Sequence, residues 1–377
     1  MEKKKVILQV LPALVSGGVE RGTIDIAKTI KEAGYESLVV SSGGPMVGQL
    51  AIAGIKHINL PLKSKNPLVI LLNSWRLKRI IKKYSVDIVH ARSRAPAWSA
   101  YLATRKNPKC HFITTWHGVY SFKSKMKNCY NKVMAKGEKV IAVSDFIKEH
   151  IVDNYEVNPD KIKVIHRGVD LKKFTKEKVN TERLSLVAGY LFMDHDRPVI
   201  LLPARITQWK GHLFLLDALA LIKDLPFFCL FVGKADAHNN YNKKIREKIA
   251  ELELEKQVLI SDQLSDMPAL YSLSDIVVSA SIRPEAFGRV VTEAQAMERL
   301  VVATKHGGAC ETVIDKKTGF LVEPDNIEEM AKVLRKMLEI APEERAKIVA
   351  AARENIVKNF SLEKMQKETL EVYGSFF

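Results

Sequence analysis

Short apolar runs alternate with helical stretches along this 377-residue chain, and that alternation constrains the fold more than any other feature. Residues 6–11, 37–41, 57–60, 87–90, 111–115 and 139–143 each read as a buried strand, with helical spacing between them. Strands of that kind, joined by helical crossovers, predict a parallel sheet covered on both faces. The pattern starts again at 198–202 and continues through 227–232, 258–260 and 300–304. The expectation is an α/β chain with two or three domains, each large enough for its own core.

The stretch 279–311 reads as loop, helix, buried strand and glycine turn. Pro284 ends what precedes it, Gly288 stands where the helix begins, and Gly307-Gly308 lets the backbone turn with positive φ. Glu285 lies in the loop before the helix, and Glu293 lies about one turn inside it. Free amides at a helix start favour an anion, and the helix dipole adds to that. Carboxylates beside a phosphate repel it, so these two suit neutral hydroxyls. Together the groups fit a phosphorylated sugar. Taken alone, Glu293 reads equally well as an acidic residue favoured near an N-terminus.

Other strand ends carry further candidates. Arg205 and Lys210 lie five residues apart after the 198–202 run, where a guanidinium fork and an ammonium point charge suit a diphosphate. In isolation the pair also reads as solvated surface charge. Gly233 and Gln263 follow the next two strands and border the expected nucleotide base. In the first half, Gly17-Gly18 opens a helix after the first strand, without a Gly-x-Gly-x-x-Gly fingerprint. Arg92 and Arg94 follow one strand, and His117-Gly118 follows another. Ligands bind beyond the carboxyl ends of strands in such sheets, so the two arginines are expected to hold an acceptor carboxylate or phosphate.

Glu285-x7-Glu293, with Phe287-Gly288 between, resembles the signature of family-4 retaining glycosyltransferases. Arg205-x4-Lys210-Gly211, His117 and the junction segment 164–170 are similar to that family's motifs in the same order, although Arg167 stands where asparagine is common. The resemblance covers nearly the whole chain. It implies the GT-B architecture, two Rossmann-like domains facing across a cleft, with the final helix crossing back to the first. The corresponding boundaries are 1–170 for an acceptor domain joined by 361–377, 171–197 for a linker with one helix, and 198–360 for a donor domain. It also implies roles. Arg205, Lys210 and the backbone after Phe287, at Gly288, Arg289 and Val290, would stabilise a departing diphosphate. Glu285 would touch the donor hexose, Glu293 the ribose hydroxyls, His117 the donor sugar, and Gly17 and Gly18 the acceptor and donor phosphate. The likeness is nearest to lipopolysaccharide-core mannosyltransferases that use GDP-mannose and a Kdo-bearing lipid A acceptor. A UDP-hexose transferase, a sugar-nucleotide epimerase and a non-catalytic sugar-nucleotide binder remain as alternatives.

The net charge of +16 is uneven. Residues 1–170 hold 29 Lys/Arg against 13 Asp/Glu, which is the whole excess. That half should bind something anionic. No nucleic-acid module is recognisable, so no nucleic acid is expected; an anionic glycolipid acceptor is, with peripheral contact on the inner face of the cytoplasmic membrane. Residues 68–84 mix apolar side chains, including Trp75, with Arg76, Lys78, Arg79, Lys82 and Lys83. They suit an interfacial helix, or a helix packed on its sheet with a solvated basic face. Four scattered cysteines without Cys-x-x-Cys fit a reducing cytosol. Lys3 to Lys5 before an apolar run imitate a secretory leader, but Gln9, Pro12 and the glycine turn fit a first strand. Asp194-His195-Asp196 matches Asp-x-Asp yet precedes a strand, so no metal and no cofactor beyond the sugar nucleotide are expected.

Overall fold

The computed structural model describes residues 4–15, 17–120, 124–191, 196–234, 240–262 and 264–377. It divides into two compact units, Met1–His166 with Glu363–Phe377, and Arg167–Leu362.

Among the described residues, the first unit holds β1 (Val6–Val10), β2 (Glu36–Ser41), β3 (Lys56–Asn59), β4 (Ile88–Ala91), β5 (His111–Trp116), β6 (Lys139–Ala142) and β7 (Ile162–Val164). They form one parallel sheet in the order β3-β2-β1-β4-β5-β6-β7. In register, Leu8 faces Leu38 on one side and Val89 on the other, and all of β1 is buried. Helices on both faces exclude water from the central strands, which explains their unbroken Val/Ile/Leu runs. The strand order reverses between β1 and β4, which is where an open α/β sheet forms a ligand crevice.

The last helix, Leu362–Gly374, supplies Tyr373 to this unit, where its ring is fully buried. Its hydroxyl lies 2.6 Å from His90 Nδ1, and the other ring nitrogen lies 2.6 Å from Thr115 Oγ1. Burial, and then the charge of Arg92, hold the His90 imidazole neutral far below its ordinary range. The chain thus returns to its first unit, as the resemblance implies.

The second unit holds β8 (Val199–Pro203), β9 (Phe228–Val232), β10 (Val258–Ser261), β11 (Ile276–Ser279), β12 (Leu300–Thr304) and β13 (Phe320–Val322). This sheet is also parallel, in the order β10-β9-β8-β11-β12-β13, with its switch between β8 and β11. One face packs on Leu215, Leu219, Met330 and Leu334, and the other on Tyr271, Val291, Met297 and Phe360. Residues 327–359 form two helices, Ile327–Leu338 and Pro342–Asn359, because Pro342 starts a new helix where its missing amide costs nothing. The stretch 171–197, expected as a linker with one helix, carries the helix Thr181–Tyr190, capped by Asn180, which puts Val187 and Leu191 into this unit's core. Among the described residues, no helix is long and apolar enough to cross a membrane.

Candidate functional site

The switch of the second sheet is built on glycines that permit close backbone approach. Gly211, at φ +74°, faces the Ala280 carbonyl so closely that a Cβ would lie 1.8 Å from its oxygen. A Cβ on Gly233 would lie 1.9 Å from the Ala204 oxygen. The loops after β8, β9 and β11 are therefore pressed together, and Ile206 N donates to Lys234 O and Ile282 N to Trp209 O. Gly307 and Gly308 do the same for the loop that carries Glu285. Their Cβ atoms would strike the Glu285 oxygen and the Phe287 Cα, each at 2.4 Å, and Gly308 N donates to Glu285 O.

This packing brings Lys210, from the end of β8, to Glu285, from the end of β11. Lys210 Nζ lies 2.6 Å from Glu285 Oε1, and their side chains are only 12% and 19% exposed. Ser281 donates to the same oxygen at 2.5 Å and Ser279 at 3.4 Å. All three donors converge on Oε1. Among the described residues no donor reaches Oε2, which leaves that oxygen as an open acceptor. Burial alone would push this carboxyl up, but the Lys210 charge and hydrogen bonds from Lys210, Ser281 and Ser279 hold it below the usual carboxylate value. Ser281 is itself fixed, because Thr304 Oγ1 and His306 Nε2 both donate to its carbonyl, at 2.7 and 2.6 Å. Trp209 places its ring 4.2 Å from Lys210 Nζ. Arg205 is exposed, and among the described residues no ion pair holds its guanidinium.

The helix Arg289–Ala296 begins beside this pair, with Gly288 as its cap at φ +83°. Val291 N and Thr292 N donate to Gly288 O, whereas the amides of Arg289 and Val290 meet no acceptor among the described residues. Glu293 is buried and fully engaged: Arg289 donates to Oε1 at 2.6 Å and Tyr271 to Oε2 at 3.1 Å. Burial and the Glu293 charge raise the Tyr271 pKa well above its ordinary value, so the phenol stays a donor. The Phe287 side chain is a core residue packed edge-on against Phe360, so only its backbone is available to a ligand. Gln263, Asp194 and His195 lie outside the described residues.

In the first unit, Gly17 caps the helix Gly18–Glu32 at φ 128°, after β1, and His117 follows β5 directly. Arg94 is half-buried, with its guanidinium 4.2 Å from the Tyr120 ring and donating to Asn131 at 2.9 Å. Arg92 departs from expectation. It is only 4% exposed, its Nε donates to Gln9 Oε1 at 2.7 Å, and its guanidinium lies against the Tyr373 hydroxyl. Burial lowers its pKa, and Tyr373 and Asp25 only partly offset that. Arg92 therefore fastens the returning helix instead of opening onto a ligand. Arg92→Ala should cost roughly 2–4 kcal/mol of stability, because Gln9 and Tyr373 lose a buried charged donor. A thermal melt checks this, and a melting temperature within a degree of wild type would refute the placement.

Sequence reading missed Ser279, Ser281, Trp209, Thr304, His306 and Tyr271. The alternation Ser279-Ala280-Ser281 was a usable signal, since residues two apart at a strand end share a face. Tyr271 reaches Glu293 only through tertiary packing.

Residues 16–173 match the family model for glycosyltransferase family 4, and residues 191–355 match that for glycosyl transferases group 1. A solved glycosyltransferase from Rickettsia africae ESF-5 is 46% identical, with a TM-score of 0.92 over 100% of this chain and 99% of that one. The trehalose synthase of Thermococcus litoralis is 30% identical over 348 residues, spanning 86% of this chain and 78% of that protein. Anabaena Alr3699/HepE, solved in complex with UDP-glucose, is 24% identical, with a TM-score of 0.83 over 98% of this chain and 99% of that one. That last likeness speaks to the fold alone.

Proposed function

The chain belongs to the family-4 glycosyltransferases, and on that premise we propose that it moves a hexose from a nucleoside diphosphate sugar to an anionic glycolipid, with retention at the anomeric carbon. The observation that carries this reading is the one-sided engagement of Glu285. Oε1 takes Lys210, Ser281 and Ser279, and Oε2 stays open for a sugar hydroxyl. Lys210 has three N–H donors and gives one to Glu285, so it keeps others for a phosphate oxygen. Arg205 adds a fork, and the free amides of Arg289 and Val290 add dipoles.

In this reading the bond from the anomeric carbon to the diphosphate oxygen breaks as the acceptor oxygen bonds to the same face. The acceptor proton passes to the departing phosphate. The chain's share is to stabilise the negative charge that develops there. The cations and amides perform that neutralisation without a divalent ion, so activity should persist in excess EDTA. By the resemblance, the acceptor is of the lipopolysaccharide-core type and GDP-mannose is the first donor to try. The UDP-glucose held by the Anabaena relative makes UDP-hexoses the second.

The test is a thermal-shift screen of GDP-, UDP- and ADP-sugars, followed by proton NMR of the product formed with a Kdo–lipid A acceptor. The expected outcome is one selective donor class and a product with the donor's anomeric configuration. Inversion would refute retention, and isomerisation of the donor without acceptor would favour an epimerase.

A further inference from the structure

The helix Pro67–Tyr84 has one face fixed to its own unit. Ile70, Leu77 and Ile81 are buried there, Asn73 donates to Pro61 O, and Ser99 donates to Ile70 O. On the opposite face, Leu68, Leu71, Leu72 and Trp75 follow the i, i+3, i+4, i+7 spacing of one helical stripe. They are 74%, 54%, 45% and 49% exposed. A helix that packs only on its sheet carries polar residues there. The next turns of the same outward face hold Lys78, Arg79, Lys82 and Lys83, all exposed. Arg79 stacks on Trp75 at 3.3 Å and joins the apolar half to the basic half.

The surrounding sequence offers these cations almost no internal partner. Residues 37–137 contain 18 Lys/Arg and a single carboxylate, Asp87. That carboxylate already accepts from Val6 N and lies 3.8 Å from Lys5. The face therefore demands a partner that is apolar and anionic together. A nucleic-acid backbone would leave the leucines in water. A second copy meeting it through the same face would set cation against cation.

We propose that this face docks on an anionic lipid bilayer, with Leu68, Leu71, Leu72 and Trp75 entering the headgroup boundary. Arg79, Lys82 and Lys83 then lie among anionic headgroups. The helix lies in the plane of the interface, and its buried face keeps it attached to the sheet. The proposal is independent of the reaction, since it concerns where the chain sits and not what it transfers.

Flotation of the full chain with vesicles tests it, using phosphatidylcholine alone and phosphatidylcholine with one-third phosphatidylglycerol. Binding to the mixed vesicles should be at least about tenfold tighter and should disappear at high salt. Leu71→Ser with Leu72→Ser should weaken it about tenfold, and Arg79→Glu with Lys83→Glu at least about 25-fold. Both variants should keep wild-type melting temperatures and nucleotide binding, because the altered side chains project into solvent. Brominated lipid should quench tryptophan emission in wild type and much less in Trp75→Phe. Equal binding to both vesicle types, or wild-type binding by both double variants, would overturn the proposal. A lipid-free dimer abolished by the leucine substitutions would also overturn it, by giving the face to a second copy.

Discussion

Lys210→Ala should lower kcat/KM by about 10²–10³, the effect of removing one preorganised donor from a developing negative charge. Arg205→Ala should fall in the same range, but the two differ in stability. Arg205 is exposed and its removal leaves nothing buried unpaired. Lys210 neutralises Glu285 in a place where both are largely hidden from water. Its loss leaves a carboxylate held only by Ser281 and Ser279, and should cost roughly 1–3 kcal/mol. Without Lys210, burial is the dominant influence on Glu285 and moves its pKa upward. In wild type, the folded value is depressed. The pair's stabilisation is therefore complete above the unfolded carboxylate pKa and is lost as pH falls through the lower folded value. The acid limb of stability should shift to higher pH in Lys210→Ala. Steady-state kinetics together with melts across the acid range check both parts.

The second large effect separates the two glutamates. Glu285→Gln can keep an amide oxygen facing Lys210, Ser281 and Ser279, while the open acceptor becomes an N–H donor. Turnover should drop about 10²-fold with free nucleoside diphosphate affinity unchanged, because the hydroxyl partner is lost and the cation is not. Glu293→Gln should behave oppositely. Its two oxygens each accept a donor, from Arg289 and from Tyr271, and one amide oxygen cannot satisfy both. It should lose about 1–3 kcal/mol of stability as well as nucleotide affinity. If both variants changed turnover alone, the ribose role of Glu293 would be lost.

Much of the architecture was legible because parallel strands buried on both faces leave uninterrupted apolar runs. Residues 300–304 matched β12 at both ends, and most other strands shifted by one residue. β7, β11 and β13 were not read from the sequence. β7 and β13 are three residues long, and so short a run has no distinguishable period, whereas β11 was passed over although it is as long and as apolar as β6. The division at Pro342 was available in the sequence, since proline at the first helical position is a start signal.

The site was half legible. Spacing pointed to Arg205, Lys210, Glu285 and Glu293, yet it could not show that Lys210 and Glu285 are partners across the switch of one sheet. It also overstated Arg92, because a strand end was taken for an open edge. The returning helix covers that end with Tyr373, 281 residues further along the chain.

Calorimetric titration of free nucleoside diphosphate against the matching monophosphate tests the central claim most directly. If Arg205 and Lys210 grip the second phosphate, the diphosphate should bind at least about 30-fold tighter to wild type, the order expected for charge-assisted contacts. That advantage should collapse in Arg205→Ala and Lys210→Ala, with monophosphate affinity little changed. Equal affinity for the two ligands, or an advantage that survives both substitutions, would contradict the account.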